Sequence, residues 1–402
     1  VSLKLYDPKP QKNNYLSRFY FEGLKGLCNE KRIPFEEIAN LDVVANSTVL
    51  VNGDYLEPEV IVRLKENQNK IISFDINDGT SFTYSYVQAD EVELIDVIFK
   101  VAGVQTEKES YETIIDDDLN YTRSKVPFRG GNFGKYFDMV EMGKVKSLPY
   151  PPWDYFDVPN IPWEQRNKLA LVRGGHHYIR VHLYFNLLAK GMVDDNSMFA
   201  GTGYIHQYCD DCKRAFKEQG GVTYDYIEKN PNMPCRLKFW EHNFMLNCGR
   251  WNNSCVTRYL DTAKLLAKKN GMDLNMVEKA LNSSFVGGYR MSILNKYLFY
   301  ADHKWIHSIY APPRFWEAAE ARIINYVAER VNDQEYFPCM EDNVHYLTYK
   351  EDFSNIDWVR DVTKEQFEYI SNNCYELYKH WIKPDKFATS TNLLQHILDT
   401  IE

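Results

Sequence analysis

The chain has 402 residues, 44% of them apolar and 26% charged, and a net charge of −9. These proportions are those of a globular protein of about two domains, long enough to bury large cores without disulfides. They exclude a membrane span, since no apolar run approaches ~20 residues. They also argue against a nucleic-acid binder, since the longest basic run, Lys264–Lys269, has the spacing of a solvated helix face. Val1–Lys12 lacks the apolar core of a signal peptide, so the expectation is a cytoplasmic protein.

Short apolar runs alternate with helical patterns from the start. Val49–Asn52 runs into a turn at Gly53-Asp54, Lys70–Phe74 ends in Asp75-Ile76-Asn77-Asp78-Gly79, and Leu94–Val101 is a third run; Pro58–Glu66 between the first two is helical. This alternation predicts an α/β fold with parallel strands and crossover helices. Lys144–Pro162 is rich in Pro and aromatics and predicts a linker, because Pro disfavours helix and central strand alike.

The pattern then restarts. Lys168–Val172 reads as a strand, Arg173–His177 as a turn, Ile179–Lys190 as a helix and Ser197–Ala200 as the start of another strand. Tyr208–Trp251 is irregular. Arg258–Asn270 and Asn275–Asn282 look helical, with Tyr289–Tyr300 joined to them. His303–Tyr310 reads as a strand, Arg314–Arg330 as a helix, and Tyr346–Tyr349 as a short apolar piece. Thr363–Trp381 is a long helix with Thr363 as cap and Gln366 at the third position. The expected architecture is two Rossmann-like α/β domains with a cleft between them. An N-terminal domain spans 1–148, a linker 149–166, and a C-terminal domain 167–362 with an irregular insertion at 208–255. Helices at 363–402 close the fold.

Four constellations carry chemistry. Arg173-Gly174-Gly175-His176-His177 and Arg180 follow a strand and open a helix. Two glycines let the backbone approach a ligand, and a helix start with two arginines suits a diphosphate; a plain tight turn fits the same residues. Arg314, Glu317 and Glu320 lie on the helix after Pro312-Pro313. A carboxylate there can accept hydrogen bonds from ribose or sugar hydroxyls, or simply complement the helix dipole. Asp75 and Asp78 flank a turn at a strand end, where paired carboxylates can supply a base or cap backbone N–H groups. Cys209-x-x-Cys212, near His206, is half of a zinc knuckle without a second half. Free thiols, disulfides and a structural zinc all remain open there.

Read in order, these pieces resemble the GT-B glycosyltransferases, with the exostosin-like and related capsule or viral branches nearest. The run Lys304–Ala318 is similar to the donor-site segment of those enzymes, where a strand and loop lead into Arg-aromatic-x-Glu-Ala. Asn343–Tyr349 and Asp352–Ile356 resemble the closing stretch, Ser73–Asp78 an acidic strand-end motif, and Leu171–Arg180 the start of the second domain. The chain departs from the family after Glu317-Ala318, where Ala321–Val327 lacks the usual Gly and Pro-Val. The resemblance implies transfer of a sugar from a nucleoside-diphosphate sugar to a glycan hydroxyl without a bound metal. It puts the diphosphate near Arg173–Arg180 and Arg314, and Glu317 on the donor. Asp75 or Asp78 becomes the acceptor-side base, with His176 or His177 next in line. The rival classes are a sugar-binding protein without turnover, a sugar transferase acting on modified DNA bases, and a zinc hydrolase, which lacks paired ligands.

Overall fold

Each group of apolar runs assembles into a parallel sheet in the computed structural model, which describes residues 2–7, 16–41, 44–53, 56–75, 90–101, 103–106, 133–152, 158–175, 183, 187, 190–193, 198–200, 296–302, 313–350 and 353–402. In the first half the strands are β1 (Leu3–Tyr6), β2 (Phe35–Glu37), β3 (Thr48–Asn52), β4 (Lys70–Asp75), β5 (Val97–Val101) and, past the two-residue β6 (Val104–Gln105), β7 (Val145–Leu148). They form one six-stranded sheet in the order β2-β1-β3-β4-β5-β7, every pair parallel.

Both faces of this sheet are covered, which is why its strands read as continuous apolar runs. Helix α1 (Glu22–Lys31), entered through a π-helical turn at Ser17–Phe21, buries Leu24, Leu27 and Cys28 against Leu3, Leu5, Leu50, Ile72 and Phe74. Helix α2 (Pro58–Glu66) packs on the opposite face with helix α3 (Phe133–Glu141). There Ile61, Leu64, Phe137 and Met139 meet Val49, Val51, Ile71 and Ile98. Alternate residues of β3 thus serve different cores, as the two-residue period of a strand requires.

The second half repeats the plan. Strands β8 (Asn167–Gly175), β9 (Met198–Ala200), β10 (Tyr297–Ala301) and β11 (Ile324–Ala328) are followed by the short β12 (Gln334–Glu335) and by β13 (Leu347–Tyr349). The sheet order is β13-β11-β10-β8-β9, again all parallel. Helix α4 (Pro313–Glu320) crosses from β10 to β11. The short α5 (Trp358–Asp361), the long α6 (Lys364–Trp381) and α7 (Thr391–Ile401) complete the chain. The protein is therefore a mixed α/β fold with two Rossmann-like parallel sheets. No helix among the described residues is long and apolar enough to cross a membrane.

Several elements differ from their sequence reading. Val145–Leu148, inside the Pro-rich stretch, is the edge strand β7. Tyr297–Tyr300 belongs to the central strand β10 and not to a helix. The helix expected over Arg314–Arg330 stops at Glu320, and Ile324–Ala328 is a fully buried strand. The stop is a Schellman turn: Arg322 N donates to Ala319 O at 3.0 Å and Ile323 N to Ala318 O at 3.2 Å, with Arg322 at φ 50°. The same turn ends α1 at Arg32 (φ 60°) and α2 at Gln68 (φ 58°). Glycine is the usual residue at that position; none of the three is glycine, so the sequence carries no stop signal there. The cap of α6 is as expected: Thr363 Oγ1 accepts from Gln366 N at 3.2 Å, and Gln366 Oε1 accepts from Thr363 N at 3.0 Å.

Candidate active site

Open parallel sheets bind ligands outside the carboxyl ends of their strands, where the strand order reverses. In the second sheet that point lies between β8 and β10. Val172 is in register with Ala301, so the backbone of Arg173-Gly174-Gly175 continues past the end of β10, pairing on its other side with Met198–Ala200. The sequence-chosen arginine and glycine pair thus occupy the reversal.

Beside them stands Asp302, which the sequence reading did not select. It is 2% exposed. Its N–H donates to Tyr326 O at 3.0 Å, its carbonyl accepts from the Tyr349 hydroxyl at 3.0 Å, and Tyr300 Oη lies 3.5 Å from its Oδ2. Tyr326 and Tyr349 meet edge to face at 5.0 Å, and Tyr349 stacks on Phe353 at 5.7 Å. Burial, reinforced by Asp357 and Asp342, pushes the Tyr326 hydroxyl far above its ordinary value, so it stays a donor, to Asn355 O at 3.2 Å. The result is an aromatic cluster along β11 and β13 beside the end of β10.

Helix α4 leaves the same edge. In a parallel β–α–β crossover the helix begins on the side of the carboxyl ends and finishes on the other. Phe315, Trp316 and Ala319 enter one core, Ala318 and Ala321 another. Arg314 and Glu317 follow at three-residue spacing, both half-buried and both engaged with other groups of the protein. Glu320 is not brought to the same place. It is the last residue of the helix, 4% exposed, and about 9 Å farther along the axis than Arg314 at ~1.5 Å per residue. The sequence reading put it in the early turns of a longer helix; the stop at Arg322 moves it to the far end.

In the first sheet Asp75 is the last residue of β4, inside the sheet and not in a turn. It is opposite Lys100 in the register of β5, with Lys100 Nζ 3.1 Å from its Oδ1 and both side chains 0% exposed. A carboxylate enclosed in this way balances the lysine and has no face open to an acceptor. The first sheet reverses elsewhere, between β1 and β3. The chain leaves β1 toward α1 on one face and β3 toward α2 on the other, and Asp7 and Asn52 stand at the two strand ends.

His176, His177, Arg180 and Asp78 lie outside the described residues, as do His206, Cys209, Cys212 and the strand expected at His303–Tyr310. Among the described residues no group of three His, Cys, Asp or Glu is placed to hold a metal. The described cysteines are buried Cys28 and Cys374 and exposed Cys339, all free; burial pushes the Cys28 thiol up to about 11 and that of Cys374 to about 12. Neither buried thiol is a nucleophile at neutral pH.

No protein-family model and no curated protein matches this sequence. Among solved structures, the chain is similar to a glycosyltransferase from Rickettsia africae ESF-5, with 10% identity, 100% of this chain and 97% of that chain covered, and a TM-score of 0.45. It is similar to Anabaena HepE in complex with UDP and glucose, with 9% identity, 100% and 99% covered, and a TM-score of 0.37. An α,α-trehalose-phosphate synthase (UDP-forming) from Burkholderia vietnamiensis gives 9% identity, 88% and 72% covered, and a TM-score of 0.37. At these identities and scores the likenesses add nothing to the sheets already described.

Proposed function

We propose that this chain is a glycosyltransferase of the GT-B type, which moves a sugar from a nucleoside-diphosphate sugar to a hydroxyl of a glycan and holds the donor on its second sheet. The observation that carries this reading is the coincidence of three features at one sheet edge. The Arg173-Gly174-Gly175 backbone runs through the strand reversal. The crossover to β11 brings Arg314 and Glu317 from the same side. Arg314 and Glu317 belong to the run Lys304–Ala318, whose sequence resembles a donor-site segment.

Each part has a role in the reaction. The glycine pair lets backbone N–H groups approach the diphosphate. Arg314, with Arg173 and Arg180, counters the charge that gathers on the diphosphate as it leaves, the kind of electrostatic term that usually dominates such a step. Glu317 accepts hydrogen bonds from ribose or sugar hydroxyls. With arginines in that position no bound metal is needed.

The test is a thermal-shift series with UDP, GDP and ADP, followed by transfer assays on Glu317→Gln. A nucleoside diphosphate at a hundred times its Kd stabilises the native state by about 2.7 kcal/mol and raises the unfolding midpoint. Glu317→Gln is nearly isosteric and lowers turnover roughly 10–1,000-fold with the fold retained. No midpoint shift with any of the three nucleotides at millimolar concentration refutes the reading.

A further inference from the structure

The two halves touch along a seam, and a histidine stands in it. Helix α7 is anchored in the first half: Leu393, Leu394, Ile397 and Leu398 belong to the core beneath α1, and Phe337, from the second half, packs against the same core. Trp381, the last residue of α6, packs against the core of the second half. His396 of α7 meets both rings. Its imidazole stacks on Phe337 with centroids 3.8 Å apart and planes 5° from parallel. Trp381 stands edge-on to His396 at 6.2 Å and to Phe337 at 4.8 Å. Beside the stack, Phe337 N donates to Ser147 Oγ on β7 at 3.0 Å, and Glu335 pairs with Val104 across β12 and β6.

A half-buried ring has lost part of its hydration, and imidazolium needs that hydration more than imidazole does. Burial accordingly holds His396 below its ordinary value; Asp399 on α7 opposes this and Lys146 on β7 adds to it. The other titratable group of the cluster is His380 on α6, whose ring meets Trp381 edge-on at 4.7 Å and whose Nδ1 lies 3.3 Å from Asn392 Nδ2. Phe337 contributes a ring and no charge. An aromatic face attracts a cation, but the parallel stack keeps the imidazole N–H bonds in the ring plane and out of the Phe337 face.

We infer that His396 is a proton-sensitive clasp between the two halves: the neutral ring holds Phe337 against α7, and protonation loosens that contact. The inference does not depend on the transferase reading. When the contact opens, the ring meets water and titrates near its ordinary value of about 6.5. The clasped ring titrates lower, so the open form takes up the proton first as pH falls. Closure is therefore at full strength above pH ~6.5, weakens below it, and levels off once the clasped ring is protonated as well. Each pH unit between the two values changes the closed-to-open ratio about tenfold.

The experiment titrates the full chain, with histidine labelled at Cε1, from pH 8 to 5 by NMR; the signal missing from His396→Gln belongs to His396. Its midpoint is expected below 6.5. Lys146 and Asp399 are exposed, so Lys146→Met and Asp399→Asn keep the fold, and they are expected to move the midpoint up and down respectively. Phe337→Ala is expected to bring it toward 6.5. The seam itself is read by deuterium exchange in the peptide carrying Gln334–Phe337, with wild type and His396→Gln compared at the same pH so that intrinsic exchange rates cancel. Between pH 7.5 and 5.5 the wild type is expected to lose severalfold more protection than the variant. A His396 midpoint at or above 6.5, or an equal loss of protection in His396→Gln, overturns the clasp.

Discussion

Asp75→Asn separates two roles for the same residue by their sizes. Asp75 and Lys100 sit on adjacent strands, 3.1 Å apart and 0% exposed. Asparagine keeps the shape but removes the charge, so the buried lysine loses the carboxylate 3.1 Å from it. Breaking a buried pair from one side costs about 3–5 kcal/mol, a fifth or more of the ~5–15 kcal/mol that holds a typical domain together. A turn-capping aspartate would cost only about 1 kcal/mol. Lys100→Met leaves the complementary defect and should cost a similar amount. The double variant Asp75→Asn, Lys100→Met removes both charges of the pair and should be more stable than either single variant. Urea denaturation of the three variants gives the coupling energy directly. An Asp75→Asn protein that unfolds within ~1 kcal/mol of wild type yet no longer transfers sugar refutes the structural role and makes Asp75 the base.

Two further outcomes follow from backbone geometry. Gln68 is exposed and held at φ 58°; glycine removes a left-handed penalty of about 1–2 kcal/mol against about 0.5–1 kcal/mol of added chain entropy. Gln68→Gly should therefore raise the urea midpoint by the equivalent of about 0–1.5 kcal/mol with an unchanged denaturant slope, and a lower midpoint refutes the estimate. A Cβ on Gly103 would lie 2.4 Å from Gln334 Oε1 and 2.7 Å from Tyr336 Cε1, and the Tyr336 hydroxyl is bonded to that same Oε1 at 2.9 Å. Gly103→Ala should cost about 1–3 kcal/mol, and wild-type thermal stability would show that this contact yields freely.

The sequence made the sheets legible where burial on both faces leaves a mostly apolar run, as in Val49–Asn52 and Lys70–Phe74. It also revealed helices whose starts carry a local mark: Pro58 at the first position of α2, Thr363 with Gln366 at α6. It failed where a local rule had no residue to act on. Arg322 ends α4 without a glycine, so the helical pattern ran on into β11. Tyr297–Ala301 is five apolar residues, which fit a buried strand or a helix equally well. The site was legible in the same uneven way. Arg173-Gly174-Gly175 stands out because two glycines follow an apolar run. Asp302 does not, because its partners Tyr326 and Tyr349 come 24 and 47 residues later. Lys100 neutralises Asp75 only through strand register, and Asp7 meets Ser17 only once β1 and the π-helical turn are folded.

The end of the chain ties the two halves together. Helix α6 packs on the second half, with Cys374 and Tyr378 against Phe315 and Trp316. Helix α7 then returns to the first, where Leu393, Leu394, Ile397, Leu398 and Ile401 join the core beneath α1, and Lys70 Nζ donates to Ile401 O at 2.5 Å. At ~1.5–3 kcal/mol for each buried apolar side chain, α7 behaves as part of the first half although it is last in sequence. The opposite crossing is slighter. Strand β12 lies antiparallel to β6, Phe337 N donates to Ser147 Oγ at 3.0 Å, and the Phe337 ring stacks on His396 at 3.8 Å with Trp381 edge-on. Burial holds His396 below its ordinary pKa, partly opposed by Asp399, so the stacked ring is neutral near pH 7.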